Sequence, residues 1–487
     1  MKLFTFKMFV SIFRFCLLLV VIMLCQSTTN AQNILSSANK TITQKQFFEL
    51  IIKYHPVAKQ SSLLTERGKK IIQQSKGAFD PQFYTYFDEK YFSSKNYYSL
   101  WDGGLKVSTR VGIDIKAGYQ TSNGLYLNPE EITPANGLNY IGASVPLAQG
   151  LLIDNRRAAL QQAKIFSKSL EAERIMMLND LLFDAAKSYW QWVESYGQLI
   201  VFQKSLNVAQ IRFDAVKSNL QNGESPSIDT VEALIQLQSL ELNFQKSFLE
   251  FKNSGLIVSN YLWYENDQPM AMDSLLRPSI IDSLPSIQLE IPVSTIKKNL
   301  AEIIKNHPSV LEYTYKIKSA QVDKNFYTNK LLPKINFNYN LLNKGVGISQ
   351  ENLNNSYLNN NYKFGLELGM PLFLRTERAN LGLAKIKIKE ANYNLNLKEL
   401  EIENKINAYI NELSTLEKQL ILFDKTISNY QRMLFAEEER FVQGESSIFL
   451  INSRQMKLVE AENKLVELKS KYYKTIAALS WACAQLN

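Results

Sequence analysis

Cysteine and histidine are almost missing from these 487 residues, at three and two respectively. Cys16 and Cys25 both fall within the first 31 residues. If that segment is removed, only Cys483 remains, and no intramolecular disulfide can form. Beside Ala482 and Trp481, Cys483 reads as a small hydrophobe in a core. Two histidines with no cysteine near them cannot supply the three or four convergent ligands of a zinc site. The chain has no nucleotide-binding glycine loop, catalytic triad or metal cluster in its sequence. No cofactor, no catalysis and no energy source of its own are therefore expected. The third absence is of long apolar runs. Beyond residue 31 none approaches the roughly 20 residues of a membrane-spanning helix, so any membrane crossing must be made by β-strands.

The N-terminus has Lys2, Lys7 and Arg14 ahead of an apolar run over 15–24, then small and polar residues ending at Thr29-Asn30-Ala31. This is the pattern of a secretory signal peptide, 1–31. A lipid-anchored start at Cys25 is the alternative, and it would want a small residue where Leu24 stands. Removing 1–31 lowers Lys+Arg from 55 to 52 against 46 Asp+Glu, a mild net charge of +6. A nucleic-acid reader gathers its cations into a patch with aromatics between them. Here they alternate with acids along helical stretches, so no nucleic-acid partner is expected.

The chain repeats itself. Its two histidines lie in matching segments, Tyr54-His55-Pro56 and Asn306-His307-Pro308, 252 residues apart, and Pro81 and Pro333 keep that shift. Val145-Pro146-Leu147 answers Met370-Pro371-Leu372. Arg157-Ala158 answers Arg378-Ala379, and Gly223-Glu224-Ser225 answers Gly444-Glu445-Ser446, both at a shift of 221. The halves therefore differ in length only between Pro81 and Arg157. The paired His-Pro steps read as one helix-terminal turn used twice. The expected division is 32–263 and 295–487, joined by a proline-bearing linker over 264–294.

Each half reads as helix, β-segment, very long helix, glycine turn and shorter helix. Leu182, Ala185, Tyr189, Trp192, Tyr196 and Leu199 step by three and four, and a shift of 221 reproduces the pattern through Ile406, Ile410 and Leu413. A sustained 3.5-residue period is that of coiled-coil packing. A helix over 151–222 would run to roughly 105 Å at 1.5 Å per residue, too long for a compact globular domain. Its counterpart spans 375–443. Each glycine supplies a left-handed cap, and helices over 226–263 and 447–483 return antiparallel.

The β-segments, about 82–147 and 333–371, alternate with a period of two. Leu105, Val107, Ile113, Ile115 and Ala117 face away from Lys106, Ser108, Asp114 and Lys116. Phe364, Leu366 and Leu368 face away from Lys363, Gly365 and Glu367. That dyad over about ten residues is the outer-membrane barrel pattern. The second half offers two strands, and the first two or three, near 82–92, 104–121 and 138–147. Helices on one side of the membrane require an even number of crossings. Either 82–92 stays at the barrel mouth or a further strand lies near 124–132. Four to six strands cannot close a barrel, since the smallest have about eight, and an open edge in lipid leaves backbone groups unpaired. Oligomerisation is therefore required. The fold class expected is mainly α, internally duplicated, with long antiparallel coiled-coil helices and a membrane β-barrel portion. The rival reading is a secreted periplasmic coiled-coil scaffold or adhesin with a soluble β domain. An autonomous porin would leave the long helices unexplained.

The duplicated plan, the Pro-Leu steps at 146–147 and 371–372 and the Gly-Glu-Ser turns at 223–225 and 444–446 resemble the TolC-like outer membrane efflux proteins. The resemblance covers nearly the whole mature chain. It implies a homotrimer in outer membrane lipid, with about four strands per protomer completing a twelve-stranded barrel. The helices would form a periplasmic α-barrel, the linker 264–294 an equatorial belt, and 122–137 and 349–361 extracellular loops. It further implies a passive exit duct for tripartite efflux or type I secretion in a Gram-negative bacterium. A periplasmic adaptor protein and an inner-membrane transporter would open its tip. Gly223, Glu224, Ser225, Gly444, Glu445 and Ser446 become the candidate adaptor-docking residues. Similar proteins often place an aspartate six residues after each turn glycine. Here that position is Asp229 in the first half and Leu450 in the second. Asp229, Phe441, Leu450 and Ser453 are thus the gate candidates, with Leu450 and Phe441 able to form a dewetting constriction.

Overall fold

The computed structural model describes residues 41–224, 226–271, 276–279, 292–345 and 361–486. The expected signal peptide, Ser225, most of the linker 264–294 and nearly all of 349–361 lie outside the described residues. None of the described helices is long and apolar enough to cross a membrane.

In chain order, the first repeat has helices α1 (Gln44–Tyr54) and α2 (Pro56–Lys76) and strands β1 (Gln82–Phe92), β2 (Lys95–Ser108), β3 (Asp114–Asn123) and β4 (Leu138–Pro146). The helices α3 (Asn155–Gln221) and α4 (Ser227–Ser259) complete it. The second has α5 (Val293–Lys298), α6 (Leu300–Asn306), α7 (Pro308–Lys330), β5 (Lys334–Lys344), β6 (Tyr362–Gly369), α8 (Arg375–Val442) and α9 (Ile448–Ala482).

The chain divides into two compact units. One takes Lys187–Ile287 and Gln419–Lys471 with the residues up to Ile51; the other takes Ile52–Ala186, Gln288–Lys418 and everything from Tyr472 onward. In the first unit the core is aromatic. Tyr189, Trp190 and Trp192 are fully buried, Phe47 stacks on Tyr189 at 5.6 Å, and Trp192 stacks on Phe251 at 6.2 Å. Arg277, from the linker, lies over Phe251 at 5.2 Å. The same short segment binds the N-terminal end of the described chain: Thr41–Ile42 pairs in parallel with Arg277–Pro278, and the buried Tyr189 hydroxyl donates to the Ile42 carbonyl at 2.9 Å.

In the second unit Ile402, Ile406, Ile410 and Leu413 of α8 pack with Leu479 and Cys483 at the end of α9, Ile296 of α5 and Val310 of α7. Burial raises the Cys483 thiol to about 11, which keeps it protonated and inert. Trp481 stacks on Phe183 at 4.6 Å and donates through Nε1 to Asp180 at 2.6 Å.

The paired histidines are helix caps. The Nδ1 atoms of His55 and His307 each accept from the backbone N–H two residues on, of Val57 and Ser309, at 3.2 Å. Pro56 and Pro308 open the following helices, where a missing N–H costs nothing. At His307 the acceptor must be neutral. Burial, aided by Lys398 and Lys405, pulls its pKa down to about 4.

The β-segments form one six-stranded antiparallel sheet in sequence order, β1-β2-β3-β4-β5-β6. The repeats join where Val145 of β4 pairs with Phe337 of β5. The sheet has six strands beside the expectation of about four per protomer, the further pair coming from the first repeat. The segment 104–121 is two strands reversed by a turn in which Thr109 N–H donates to the Ile113 carbonyl at 2.9 Å. Residues 124–132 hold no strand, only a 3-10 turn at Pro129–Glu131. The strand 82–92 pairs along its length with β2. The even number demanded by the topology is met by four strands in the first repeat and two in the second.

Candidate functional site: the glycine turns and the polar links beside them

Both helix hairpins of the first unit turn in the same way. After α3, Gly223 adopts φ +79°, and after α8, Gly444 adopts φ +78°. Gly223 N–H donates to Leu220 O at 3.0 Å and Glu224 N–H to Asn219 O at 2.8 Å. Gly444 N–H donates to Phe441 O at 3.0 Å and Glu445 N–H to Arg440 O at 2.9 Å. This double bond pattern is the Schellman cap. Among the described residues no atom beyond the chain neighbours lies within 4 Å of where a Cβ would sit on either glycine. Glycine is needed there for its left-handed backbone and not for space.

Gly223, Glu224, Gly444 and Glu445 are exposed, whereas Ser446 is half-buried. The Ser446 hydroxyl donates to Glu437 Oε1 at 2.6 Å, and Arg454 approaches the other oxygen at 3.5 Å. The Ser446 bond, then Arg454, holds the Glu437 carboxyl below the usual range against the opposing effect of its burial. Ser447 accepts weakly from Leu450 N–H at 3.4 Å to begin α9.

Of the gate candidates, Leu450 and Ser453 are exposed and Asp229 is half-exposed in the first turn of α4. Phe441 is half-buried and packs beside Val216, Ala233 and Ile448, so its ring lies in the core between the hairpins. Val442, at 86% exposed, and Phe449, at 61%, are large apolar side chains left bare next to the second turn.

A second polar group near the turns carries no mark in the sequence. Arg212 of α3 is largely buried and donates through Nη2 to Glu438 Oε1 of α8 at 3.0 Å. Its Nη1 donates to Gln455 Oε1 and, at 3.4 Å, to Asn452 Oδ1, both on α9. Burial lowers the Arg212 pKa while Glu438 opposes the shift, so the guanidinium stays charged at neutral pH. One arginine thereby ties α3 to both helices of the other hairpin. At the 221 shift Arg212 answers Met433, Glu438 answers Lys217, Gln455 answers Leu234 and Asn452 answers Val231. The links lie where the repeats have diverged, which is why tracing their likeness passes over them.

The second element with chemical consequence is the sheet. Phe83, Phe87, Leu105, Ile115, Ile141, Phe364, Leu366 and Leu368 stand exposed on one face. Gln82, Tyr84, Asp102, Lys106, Lys116, Gln120, Asn338, Asn340 and Lys363 line a groove of about 470 Å³ on the other. A soluble sheet would cover its apolar face, and here the polar face is the concave one, as in a barrel whose lumen is wet and whose outside meets lipid.

The comparisons with known proteins agree with this geometry. Residues 299–484 match the family described as Outer membrane efflux protein. No curated protein matches the chain in sequence. Among solved structures, the CmeC outer membrane channel of Campylobacter jejuni is 14% identical at a TM-score of 0.61, over 93% of this chain and 90% of that one. VceC of Vibrio cholerae is 13% identical at 0.62, over 91% and 96%. The MtrE outer membrane channel of Neisseria gonorrhoeae is 13% identical at 0.64, over 91% and 89%. Residues 299–484 thus match the outer membrane efflux protein family in sequence, and nearly the whole chain shares the fold of these solved outer membrane channels.

Proposed function

We propose that three copies of this chain assemble into a channel-tunnel, the passive exit duct of a tripartite efflux or type I secretion system. An adaptor and an inner-membrane transporter open it at its periplasmic tip. The observation that carries the proposal is the open six-stranded sheet with one lipid-suited face. Among the described residues neither edge, β1 or β6, has a further strand beside it, and hydrocarbon does not tolerate the backbone groups this leaves unpaired. Further copies must complete it.

The exposed turns at Gly223-Glu224 and Gly444-Glu445 suit docking by adaptor hairpins, because rigid caps present their backbone to solvent. In the closed state Arg212 holds the hairpins together, and opening separates α3 from α8 and α9. The bare Val442, Phe449 and Leu450 give the tip an apolar lining that resists wetting. Energy enters from the transporter, and no catalytic step falls to this chain.

The test is fractionation of membranes from cells making the full-length protein. A channel is extracted only by detergent and migrates as an oligomer that collapses on heating. A protein recovered in the soluble fraction would instead be the scaffold of the rival reading.

A further inference from the structure

On the polar face of the sheet, cations outnumber acids and stand in line. We propose that Lys116 of β3 and Lys363 of β6 form, with their copies, an anion-selecting ring inside the channel, which binds the carboxylate, phosphate or sulfate groups of cargo in passing. The inference rests on the channel reading above and adds the class of solute that the outer passage favours.

Strand register puts the cations in a single row. Lys106 stands opposite Lys116, Lys116 opposite Gly142, Gly142 opposite Asn340 and Asn340 opposite Lys363. Residues directly opposite one another share a face, and all five line the polar groove of about 470 Å³. No acid interrupts the row. Like charges directly opposite destabilise a sheet, and of the two neighbouring lysines only Lys106 is relieved, by Asp114 at 3.3 Å. Among the described residues Lys116 and Lys363 have no carboxylate within 4 Å. An anion entering the row would relieve the charge that the sheet itself leaves uncompensated.

The acids of the same face are already engaged. Asp114 also takes Arg156 at 2.9 Å, and Glu367 takes Lys334 at 3.1 Å and Asn336 at 3.2 Å. Asp102, four residues along β2 from Lys106, accepts from the Tyr140 hydroxyl at 2.7 Å. That ring crosses β3 at Gly118, where a Cβ would sit 2.5 Å from the hydroxyl. From β3 to β6 the polar face carries Lys116, Lys334, Lys344 and Lys363 against Asp114 and Glu367 alone, among the described residues.

The row has a neutral donor as well. Gly142 lets the Asn340 side chain lie across it, where a Cβ would collide with the amide, and the amide nitrogen adds two N–H groups between the lysines. Three strand spacings, about 14 Å, separate Lys116 from Lys363. At 0.01 M salt, screening acts only beyond about 30 Å, so their fields add. Rings of cationic side chains favour anions in pores, and a low-dielectric wall focuses their field on the solute.

Reversal potentials of the detergent-extracted full-length channel in planar bilayers, under a potassium chloride gradient at low salt, test the ring. The unsubstituted channel should pass chloride in preference to potassium, and Lys116→Gln with Lys363→Gln should move the reversal potential toward zero. A second variant, Lys363→Cys with Cys483→Ala, reads the charge at one position without a further change of sequence. A cationic methanethiosulfonate should restore its chloride preference and an anionic one should lower it further, a difference that a merely structural role would not produce. Potassium preference in the unsubstituted channel, or one reversal potential for all these forms, would overturn the ring and leave the channel standing. Absence of any conductance from the unsubstituted protein would instead refute the channel itself.

Discussion

Arg212 donates to Glu438 across 3.0 Å, although at the matching positions of the other repeat stand Met433 and Lys217. The duplication supplied two equivalent hairpins, and divergence then tied them together. A charged hydrogen bond of this kind contributes about 1.5–3 kcal/mol when its partners are largely desolvated. Glu438 is 45% exposed, which puts this one at the low end.

Arg212→Met copies the repeat's own counterpart and removes the tie without a large change in volume. The channel should become leaky, with a higher open probability in planar bilayers than the unsubstituted protein. Glu438→Gln should do less, because Gln455 and Asn452 still hold the guanidinium. Equal silence of both variants would show that the tip closes by other contacts.

Gly223→Ala and Gly444→Ala each force a side chain into the left-handed region, at a cost of about 1 kcal/mol. With open space around both positions, asparagine should be tolerated better than alanine. Limited proteolysis should cut at the turns fastest in the alanine variants, then in the asparagine variants, and slowest with glycine. Equal rates would show that the caps do not limit local opening.

His307 gives the helical region a pH dependence of known sign. Its folded pKa, about 4, lies below the ordinary value of 6.5. The unfolded chain therefore takes up a proton first as the pH falls. The contribution of the neutral cap is complete above about 6.5, declines from there to about 4, and is gone below. Thermal melts of the unsubstituted protein should fall across that window. His307→Asn keeps a capping side chain and should flatten the curve there; an unchanged slope would assign it to other groups.

Gly118→Val places a side chain against the Tyr140 hydroxyl and the Gly103 carbonyl, 2.5 and 2.8 Å from its Cβ. Overpacking at such a position costs about 1–3 kcal/mol. Less heat-modifiable oligomer should reach the membrane than with Gly365→Val, where nothing lies within 4 Å. Equal yields would mean that the ring stack over β3 is dispensable.

The helical plan is legible in the sequence because a buried stripe leaves a period. Leu182, Ala185, Tyr189 and Trp192 are all fully buried. The sheet departs from its sequence pattern at two points for definite reasons. Ser108 pairs with Asp114 across a loop of odd length, so the in-out alternation passes through the reversal unbroken and two strands read as one from 104 to 121. Only Gly112, at φ +92°, marks the turn. The β1–β2 reversal is made by Ser93 and Ser94, at φ 52° and 61°, where hairpins usually announce themselves with asparagine or glycine. At the tip the glycines are visible as caps, whereas the Arg212 links depend on residues that touch only once three helices have packed.

The channel assignment is tested most directly by the mass of the particle that detergent extracts from membranes before heating. Three copies in one particle, conducting ions when reconstituted in a planar bilayer, is the predicted result. A non-conducting monomer, or recovery of the protein without detergent, would contradict it.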